Sequence, residues 1–176
     1  MDRTHSLVRP SSAVWRELDL VEMLHRLRPA FEEMAGAKVA IEIRCPDDAP
    51  KIWADVGRIK TAIVEVVRNA CDATARGGKV TIELQAGASA PTPGAAKKAI
   101  KWLSLNVSDD GPGISKEAMG KIFAPFYSMR KTGNATGLGL TVALGFVQQH
   151  GGAIRVTSSQ RKTTFQILLP ARSGHS

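Results

Sequence analysis

The sequence contains little cysteine and no long apolar run. Only two of its 176 residues are cysteines. Cys45 and Cys71 lie too far apart for a metal-ligand pair and are too few for a disulfide framework, so we expect reduced, partly buried thiols. The longest apolar stretches, residues 61–67 and 138–147, fall well short of the ~20 apolar residues that a membrane span needs. No apolar segment follows the basic residue near the start, so we expect no secretory signal and a cytoplasmic location.

Acidic residues are in the minority. The 24 lysines and arginines against 16 acidic residues give a formal charge of +8. Such a field favours polyanions, whether a nucleotide, nucleic acid or an acidic protein surface. Five of these charges are equally consistent with solvated loops: Lys97, Lys98, Lys101, Arg161 and Lys162. Since no recognition helix or aromatic platform accompanies the charge, a nucleic-acid-binding module is the last alternative we keep, and we expect no nucleic-acid partner.

Hydrophobic periodicity divides the chain into helices and strands. Residues 1–16 lack periodicity and are expected to form a linker or residual segment before a domain over 17–171 and a tail over 172–176. Three longer helices are predicted, from Leu18 to about Gly36, after a cap at Asp55, and from Gly137 to a stop at Gly151. The predicted strands are 38–44 with 51–54 as a short partner, 80–85, a loop over 86–96, then 103–108, 153–158 and 163–169. This order favours an α/β fold, a two-layer sandwich with helices on one face of a mixed, mainly antiparallel sheet.

The second predicted helix carries three polar residues on one side. Glu65, Asn69 and Asp72 are spaced by four and three residues, so their side chains project together beside the apolar stripe. A partly buried asparagine needs a partner that offsets its desolvation. Magnesium is such a partner, because it keeps several waters and takes only one or two protein oxygens besides substrate phosphates. Taken alone, the trio is better explained by a plain exposed helix face.

The segment LNVSDDGPGI (105–114) runs from an alternating strand into an acidic pair and two glycines. Gly111 and Gly113 permit positive φ and the close approach of a planar ligand. Asp109 at the strand end can accept from adenine's exocyclic amine, whereas guanine presents a carbonyl oxygen there, so the site would select adenine. The alternative is a turn with a capping aspartate.

A third glycine-rich segment, GNATGLGL (133–140), opens the last long helix. Thr136, Gly137 and Gly139 precede or begin a helix whose first N–H groups lack partners within it, which favours phosphate oxygens at that end. The segment is neither a P-loop nor the dinucleotide fingerprint, and glycines at a helix start often serve packing alone.

Five motifs together carry a family resemblance. They are NACDAT with Asn69, DDGPGI with Asp109, IFAPFYS at 122–128, TGLGL at 136–140 and HGG at 150–152, in that order. The chain resembles, over roughly residues 18–170, the catalytic ATP-binding domain of bacterial sensor histidine kinases. That family belongs to the wider group of DNA gyrase B, the chaperone Hsp90 and the mismatch-repair protein MutL, which share the Bergerat fold.

The resemblance implies a set of site residues. Asn69 would bind a magnesium ion bridging the phosphates, with Glu65 as the second catalytic and metal-binding candidate. Asp109 would read adenine, and Thr163 would join it through a water. A lid over 120–136 would close on the nucleotide, with Phe123 and Phe126 as its apolar anchor. The complete implied ATP-binding set is Asn69, Asp72, Asp109, Gly111, Gly113, Ile114, Tyr127, Arg130, Lys131, Thr136, Gly137, Leu138, Gly139, Leu140 and Thr163.

Several positions depart from the commonest kinase pattern. Glu65 stands where many histidine kinases have asparagine, and in gyrase-like ATPases and anti-sigma serine kinases a glutamate there acts as general base. Asp72 replaces a frequent lysine or histidine. Ala135 and Lys162 each occupy a usual glycine. A serine kinase or ATPase of the same fold, using Glu65 as base, therefore remains an alternative.

The resemblance implies a partner that this sequence lacks. A histidine kinase passes the γ-phosphoryl of Mg-ATP to a histidine on a dimeric helical hairpin, and from there to an aspartate of a response regulator. His25 in LHRLRPAF lies on the helix that the family uses as part of the ATP-binding domain, so we interpret it as a surface or packing residue. We therefore expect a phosphoacceptor domain elsewhere and a monomeric isolated domain.

Overall fold

A five-stranded sheet with helices on one face forms the body of the computed structural model, which describes residues 12–91, 101–127 and 138–171. In chain order the elements are β1 (Trp15–Leu18), α1 (Leu20–Ala35), β2 (Val39–Arg44), β3 (Ile52–Asp55), α2 (Val56–Ala73), β4 (Gly78–Ala88), β5 (Trp102–Asp109), α3 (Lys116–Met119), α4 (Gly139–Gln149), β6 (Ala153–Ser159) and β7 (Lys162–Pro170). The predicted α/β sandwich is confirmed.

The main sheet has the strand order β2-β4-β5-β7-β6. Strands β2 and β4 are parallel, and the other three pairs are antiparallel, so the prediction of a mixed, mainly antiparallel sheet is confirmed. The central strand β5 ends at Asp109, which pairs with Val80 on one side and Thr163 on the other. An acidic side chain therefore lies in the middle of the sheet, where its central strand ends.

The two faces of this sheet differ in polarity. Alternate residues are fully buried towards the helices: Val80, Ile82, Leu105, Val107 and Phe165. The other face carries hydroxyl and amide groups, and Ser108 Oγ lies 2.8 Å from Thr164 Oγ1 across it. Because side chains alternate along a strand, Asp109 follows Leu105 and Val107 on the helix-covered face. Its carboxylate is thus buried rather than solvated.

Local capping fixes the long helices. Asp19 Oδ1 accepts from the N–H of Glu22, and Asp55 Oδ1 accepts from that of Arg58, each at 3.1 Å, as helix N-caps do. Helix α1 ends at Gly36 and α4 is followed by Gly151, both with φ of 71°. The predicted ends are confirmed within a residue or two. Over the described ranges, none of the helices is both long and apolar enough to span a bilayer.

The strand pairing of residues 51–54 was predicted wrongly. Strand β3 pairs antiparallel with β1 in a separate two-stranded ribbon, and not with β2. Residues 15 and 16, expected to lack regular structure, belong to β1. His150, which is distant in sequence, contacts both strands of this ribbon. Its Nε2 accepts from the Asp55 N–H at 3.0 Å, and its ring centroid lies 4.4 Å from that of Trp15. Both partners lie far away in sequence, so no local pattern predicts the pairing.

Strand β4 continues through Gly87 to Ala88, past the predicted start of the following loop at 86.

Cys71 is buried and Cys45 is partly buried, and both are free thiols as predicted. Burial raises the pKa of the Cys71 thiol to about 11, which keeps it protonated and unreactive at neutral pH.

Candidate nucleotide-binding site

Asp109 is the polar group around which the site is built. It is 2% exposed, and its Oδ1 accepts from the Gly111 N–H at 3.0 Å. Its Oδ2 is buried and has no hydrogen-bond partner among the residues that the structure describes. A buried acceptor without a partner costs about 1–3 kcal/mol, so this atom favours a ligand that brings a donor.

Burial also changes the titration of Asp109. Its pKa rises from the ordinary 3.8 to about 6, mainly because burial disfavours the charged form; the neighbouring charge of Asp110 adds to the rise, and the Gly111 N–H opposes it. The carboxyl is thus ionised at neutral pH but closer to protonation than a surface aspartate. A ligand donor on Oδ2 would stabilise the ionised form.

This raised pKa leads to a stability prediction. The folded chain takes up a proton at Asp109 near pH 6, whereas the unfolded chain does so near 3.8. The nucleotide-free wild type should therefore gain stability relative to Asp109→Asn as pH falls from about 6 to about 4, because the folded state binds the extra proton in that window. Denaturant unfolding of both proteins across pH 4–8 measures this. A difference in unfolding free energy that does not change with pH would contradict the assigned burial.

The glycine turn (residues 110–114) is shaped by two close approaches. A Cβ on Gly111 would lie 2.6 Å from the Ala73 carbonyl oxygen at the end of α2. Gly113 has φ of 83°, and a Cβ there would clash with the Ser159 carbonyl of β6. Only glycine meets both conditions, which is the reason the sequence places glycines beside the acidic pair. The turn is therefore clamped between α2 and β6.

Helix α2 connects the glycine turn to the start of α4. Glu65, Asn69 and Ala73 follow at four-residue steps, which places them about 6 Å apart along one side of the helix. Ala73 contacts Gly111, and a Cβ on Gly139 would clash with Glu65 Oε2. Half-buried Asn69 therefore lies between the helix residues that contact Gly111 and Gly139. The described parts of the three motifs predicted to form one site lie along about 12 Å of helix.

Glu65 brings a negative charge to the start of α4. Its Oε1 lies 3.4 Å from Arg68 Nη1, and its Oε2 lies against Gly139, the first residue of α4. The positive end of a helix dipole stabilises a carboxylate there. The same carboxylate would repel a phosphate at this helix end unless a cation lay between them.

Thr163 and Ser158 extend the site into the sheet. Thr163 is 3% exposed and opposes Asp109 in the β5–β7 register. Its Oγ1 lies 2.8 Å from Ser158 Oγ, which also accepts from the Ile114 N–H at 2.7 Å. Ser158 was not among the predicted site residues. Nothing local marks it, since it is one of three consecutive small polar residues that end β6.

The two phenylalanines predicted to anchor a lid behave differently. Phe123 packs edge-on against Phe165, with ring centroids 6.3 Å apart, and its carbonyl accepts from Thr141 Oγ1 at 2.9 Å. Phe126 is 79% exposed and has φ of 64°. Phe123 therefore attaches the chain around it to the core and to α4, whereas the side chain of Phe126 is exposed and does not.

The remaining predicted site residues fall into three groups. Ile114, Tyr127 and Leu140 are half-buried against the core, and Leu138 is half-buried directly before α4. Asp72 is exposed on α2. Outside the described residues lie Arg130, Lys131, Thr136 and Gly137. Within the described ranges no three His, Cys, Asp or Glu side chains converge, so a cation at Asn69 would need oxygens supplied by its ligand.

Comparison with known proteins identifies the family. Residues 54–173 match the model of the histidine kinase-, DNA gyrase B-, and HSP90-like ATPase family. The chain belongs to this family of ATPase domains. The resemblance predicted from five motifs is thereby confirmed.

Two of the relatives that the chain resembles are sensor kinases. The sensor kinase CckA of Brucella abortus (strain 2308) is 33% identical over 183 residues, which cover 96% of this chain and 19% of the relative. The sensor histidine kinase ZraS of Escherichia coli (strain K12) is 30% identical over 166 residues, covering 93% and 33%. The chain thus spans about a fifth to a third of the length of these relatives.

Solved structures agree with the fold. The catalytic domain of histidine kinase ThkA is 26% identical with a TM-score of 0.70, covering 90% of this chain and 98% of that one. Full-length ShkA in complex with AMPPNP has a TM-score of 0.73 at 21% identity, covering 93% and 33%, and supports the fold alone. The chain is therefore similar to the catalytic domains of sensor histidine kinases.

Proposed function

We propose that this chain is the ATP-binding catalytic domain of a two-component sensor histidine kinase, over residues 17–171. It would donate the γ-phosphoryl of Mg-ATP to a histidine on a dimerisation domain, which would pass it to an aspartate of a response regulator receiver domain. The observation that carries the proposal is the buried Oδ2 of Asp109, which has no hydrogen-bond partner among the described residues and lies near the end of α2, the helix that carries Asn69. The family match supports ATP as the nucleotide.

Adenine selection follows from the acceptors of Asp109. Oδ1 is used by the Gly111 N–H, which leaves Oδ2 to accept from adenine's exocyclic amine. Guanine would direct a carbonyl oxygen at this carboxylate and leave two acceptors facing each other. Gly111 and Gly113 would contribute by holding the turn beside Asp109 in close contact with Ala73 of α2 and Ser159 of β6.

Asn69 and Glu65 are suited to a magnesium ion that arrives with the phosphates. Both are half-buried and four residues apart on α2, so one carboxamide oxygen and one carboxylate can serve the same cation. A cation would also relieve the repulsion between Glu65 and a phosphate at the start of α4. When bound, magnesium supplies charge neutralisation on the phosphate oxygens.

The chain's own residues would hold and align the phosphoryl donor, ATP, rather than react with it. Phosphoryl transfer needs mainly positioning and electrostatic stabilisation. The α4 N-terminus, with Leu138, Gly139 and Leu140, would receive phosphate oxygens on its N–H groups. Arg130, Lys131, Thr136 and Gly137 are proposed to complete the phosphate side. Radiolabel transferred from γ-labelled ATP to a histidine of a separately supplied dimerisation domain tests this role.

The acceptor histidine is proposed to lie outside this chain. His150 is buried and hydrogen-bonded to Asp55 and Phe146, which makes it unsuitable as an acceptor, and His25 lies on α1 of the ATP-binding domain itself. We propose that the isolated domain is a cytoplasmic monomer whose partners are the dimerisation domain and the response regulator. Sedimentation of the chain with and without Mg-ATP tests the monomer.

Asn69→Ala is expected to remove the magnesium dependence of ATP binding. The wild type should bind ATP at least about tenfold more tightly with Mg²⁺ than with EDTA, because the carboxamide oxygen helps hold the cation on the phosphates. In the variant, titration calorimetry should give similar weak affinities in both buffers. Asn106→Ala, on the opposite sheet face, is the matched control and should behave as wild type. An equal metal dependence in Asn69→Ala would contradict the magnesium assignment.

The second candidate, a serine kinase or ATPase of this fold, rests on Glu65. Its carboxylate points to the start of α4, where a base could orient a hydroxyl or water. Glu65→Gln keeps the size of the side chain and removes its basicity. For a histidine kinase domain we expect no steady ATP hydrolysis by the isolated wild-type chain. The Glu65→Gln variant then has no such activity to abolish. Steady turnover in wild type that is lost in Glu65→Gln would favour the second candidate.

A further inference from the structure

Ser158 on β6 links two separate parts of the site. Its Oγ accepts from the Ile114 N–H at 2.7 Å and lies 2.8 Å from Thr163 Oγ1. Ile114 ends the glycine turn, and Thr163 is the cross-strand partner of Asp109. One hydroxyl thus connects the turn that flanks the base to the residue beside the adenine-reading carboxylate.

The direction of the Ser158 proton follows from distances. Apart from Thr163 Oγ1 at 2.8 Å, the acceptor within reach is the Ser159 carbonyl oxygen at 3.5 Å. The first distance is near the optimum for O–H···O bonds and the second lies at the margin. Either hydroxyl could donate in this pair, and we assign Ser158 as the donor because its other described acceptor is the poorer one. The hydroxyl proton of Thr163 is then not needed for this pair and can be offered elsewhere.

The electrostatics of the pocket determine where the Thr163 proton goes. Side chains directly opposite in an antiparallel pair lie on the same face, with Cβ atoms about 4.5–5.5 Å apart. Thr163 thus shares its side of the sheet with the buried carboxylate of Asp109, whose Oδ2 has no described partner. The negative charge of Asp109 attracts the Thr163 hydroxyl proton towards the carboxylate, and so towards the place where the proposed base would bind.

We propose that Ser158 is a positioning residue for nucleotide specificity, which holds the Thr163 hydroxyl as a donor towards the base. This inference rests on the proposed ATP-binding function. The pocket then presents an acceptor, Asp109, beside a donor, Thr163. Adenine offers the complement, a donor at its exocyclic amine and an acceptor at N1, reached directly or through a water. Hypoxanthine reverses both groups, so inosine triphosphate is rejected.

The expected effect is on selectivity rather than on affinity alone. In Ser158→Ala the Thr163 hydroxyl can rotate and present a lone pair to the N1–H of hypoxanthine. The ratio of ATP to inosine triphosphate affinity should then fall about threefold to tenfold, the size of one hydrogen bond. The two nucleotides carry the same phosphates, so the metal and phosphate contacts cancel in the ratio.

Calorimetric titration of the full chain with both nucleotides measures this ratio. Ser159→Ala is the matched control, because Ser159 is exposed and its hydroxyl donates to the Lys162 carbonyl at 3.4 Å. Ser158→Thr keeps a hydroxyl and should preserve the wild-type ratio. Ser158→Cys, with a weak S–H donor, should lower the ratio and serves if the alanine variant does not fold.

A double-mutant comparison separates positioning from packing. If Ser158 acts through Thr163, then Ser158→Ala should leave the ratio unchanged in a Thr163→Val background. A variant that merely loosens the glycine turn would weaken both nucleotides equally and keep the ratio, which overturns the inference. If the wild type binds ATP through Asp109 and only this ratio fails to respond, the proposed function stands. If the wild type binds no ATP, both fall.

Discussion

Asp109→Asn should lower the affinity for ATP by about tenfold to a hundredfold while the chain stays folded. The two carboxylate oxygens accept hydrogen bonds from two donors, the Gly111 N–H and, in the proposed complex, the exocyclic amine of adenine. An asparagine has a single acceptor oxygen, so one of these donors loses its partner at about 1–3 kcal/mol. Titration calorimetry with Mg-ATP measures the loss. Asp109→Ala, which removes both acceptors, should abolish detectable binding.

Stability should not follow affinity in Asp109→Asn. The carboxylate is buried, and one of its oxygens has no partner within the part of the chain that the structure describes. Its removal therefore relieves a desolvated charge at neutral pH, and the melting temperature should hold or rise. Asp110→Asn is the matched control, since Asp110 is exposed and its Oδ1 accepts from the Lys79 N–H at 3.0 Å, which an amide oxygen can also do. Its ATP affinity should change by less than about threefold. ATP affinity unaffected in Asp109→Asn would refute the adenine assignment.

Gly113→Ala should destabilise the domain by about 2–5 kcal/mol and weaken ATP binding as well. The backbone there has φ of 83°, which costs an alanine roughly 1–2 kcal/mol. A Cβ would also meet the Ser159 carbonyl, part of a strand backbone that cannot rotate away. The turn must shift, and with it the Ile114 N–H bonded to Ser158. Denaturant unfolding and calorimetry measure the two effects.

Gly145→Ala in α4 provides the control for glycine substitution. Apart from its chain neighbours and the backbone of its own helix, no described atom lies within 4 Å of a Cβ built there, and the residue is inside a helix. Alanine should therefore be neutral or stabilise by up to about 1 kcal/mol. If Gly113→Ala unfolds at the same denaturant concentration as Gly145→Ala, the glycine turn is not clamped against β6 as the geometry indicates.

Features with local causes could be predicted from the sequence. Asp55 caps α2 because a short acceptor precedes an apolar stripe, and Gly36 ends α1 because only glycine adopts its φ easily. The DDGPG segment indicates a turn of special backbone conformation by its composition. The alternation over 103–108 predicts a strand with Asp109 at its end. These predictions use only neighbouring residues, and the structure confirms them.

Features that depend on distant partners could not be predicted. The β1–β3 ribbon needs Trp15 and Asp55 to meet His150, which lies 95 residues from Asp55 in the chain. Residues 51–54 carry a strand pattern that does not specify which strand they pair with. Ser158 enters the site only because β6 lies beside β7 and the glycine turn folds onto it. Its residue type and its strand are ordinary, and its partners decide its role.

One feature of Glu65 could be predicted from the sequence and another could not. Its four-residue spacing to Asn69 predicts a common helix side, which the structure confirms. Its contact with Gly139 depends on how α4 packs on α2, and the sequence motif does not specify it. The roles of base and metal partner both remain compatible with this position, and they make opposite predictions for hydrolysis by the isolated chain.

The central claim is that one nucleotide spans Asp109 and Asn69 along α2. A crystal structure of the chain with AMPPNP and Mg²⁺ tests it most directly. We expect the exocyclic amine of adenine within hydrogen-bonding distance of Asp109 Oδ2, and the metal on the phosphates beside the Asn69 carboxamide. A nucleotide bound elsewhere, or a base that leaves Asp109 Oδ2 without a donor, would contradict the account.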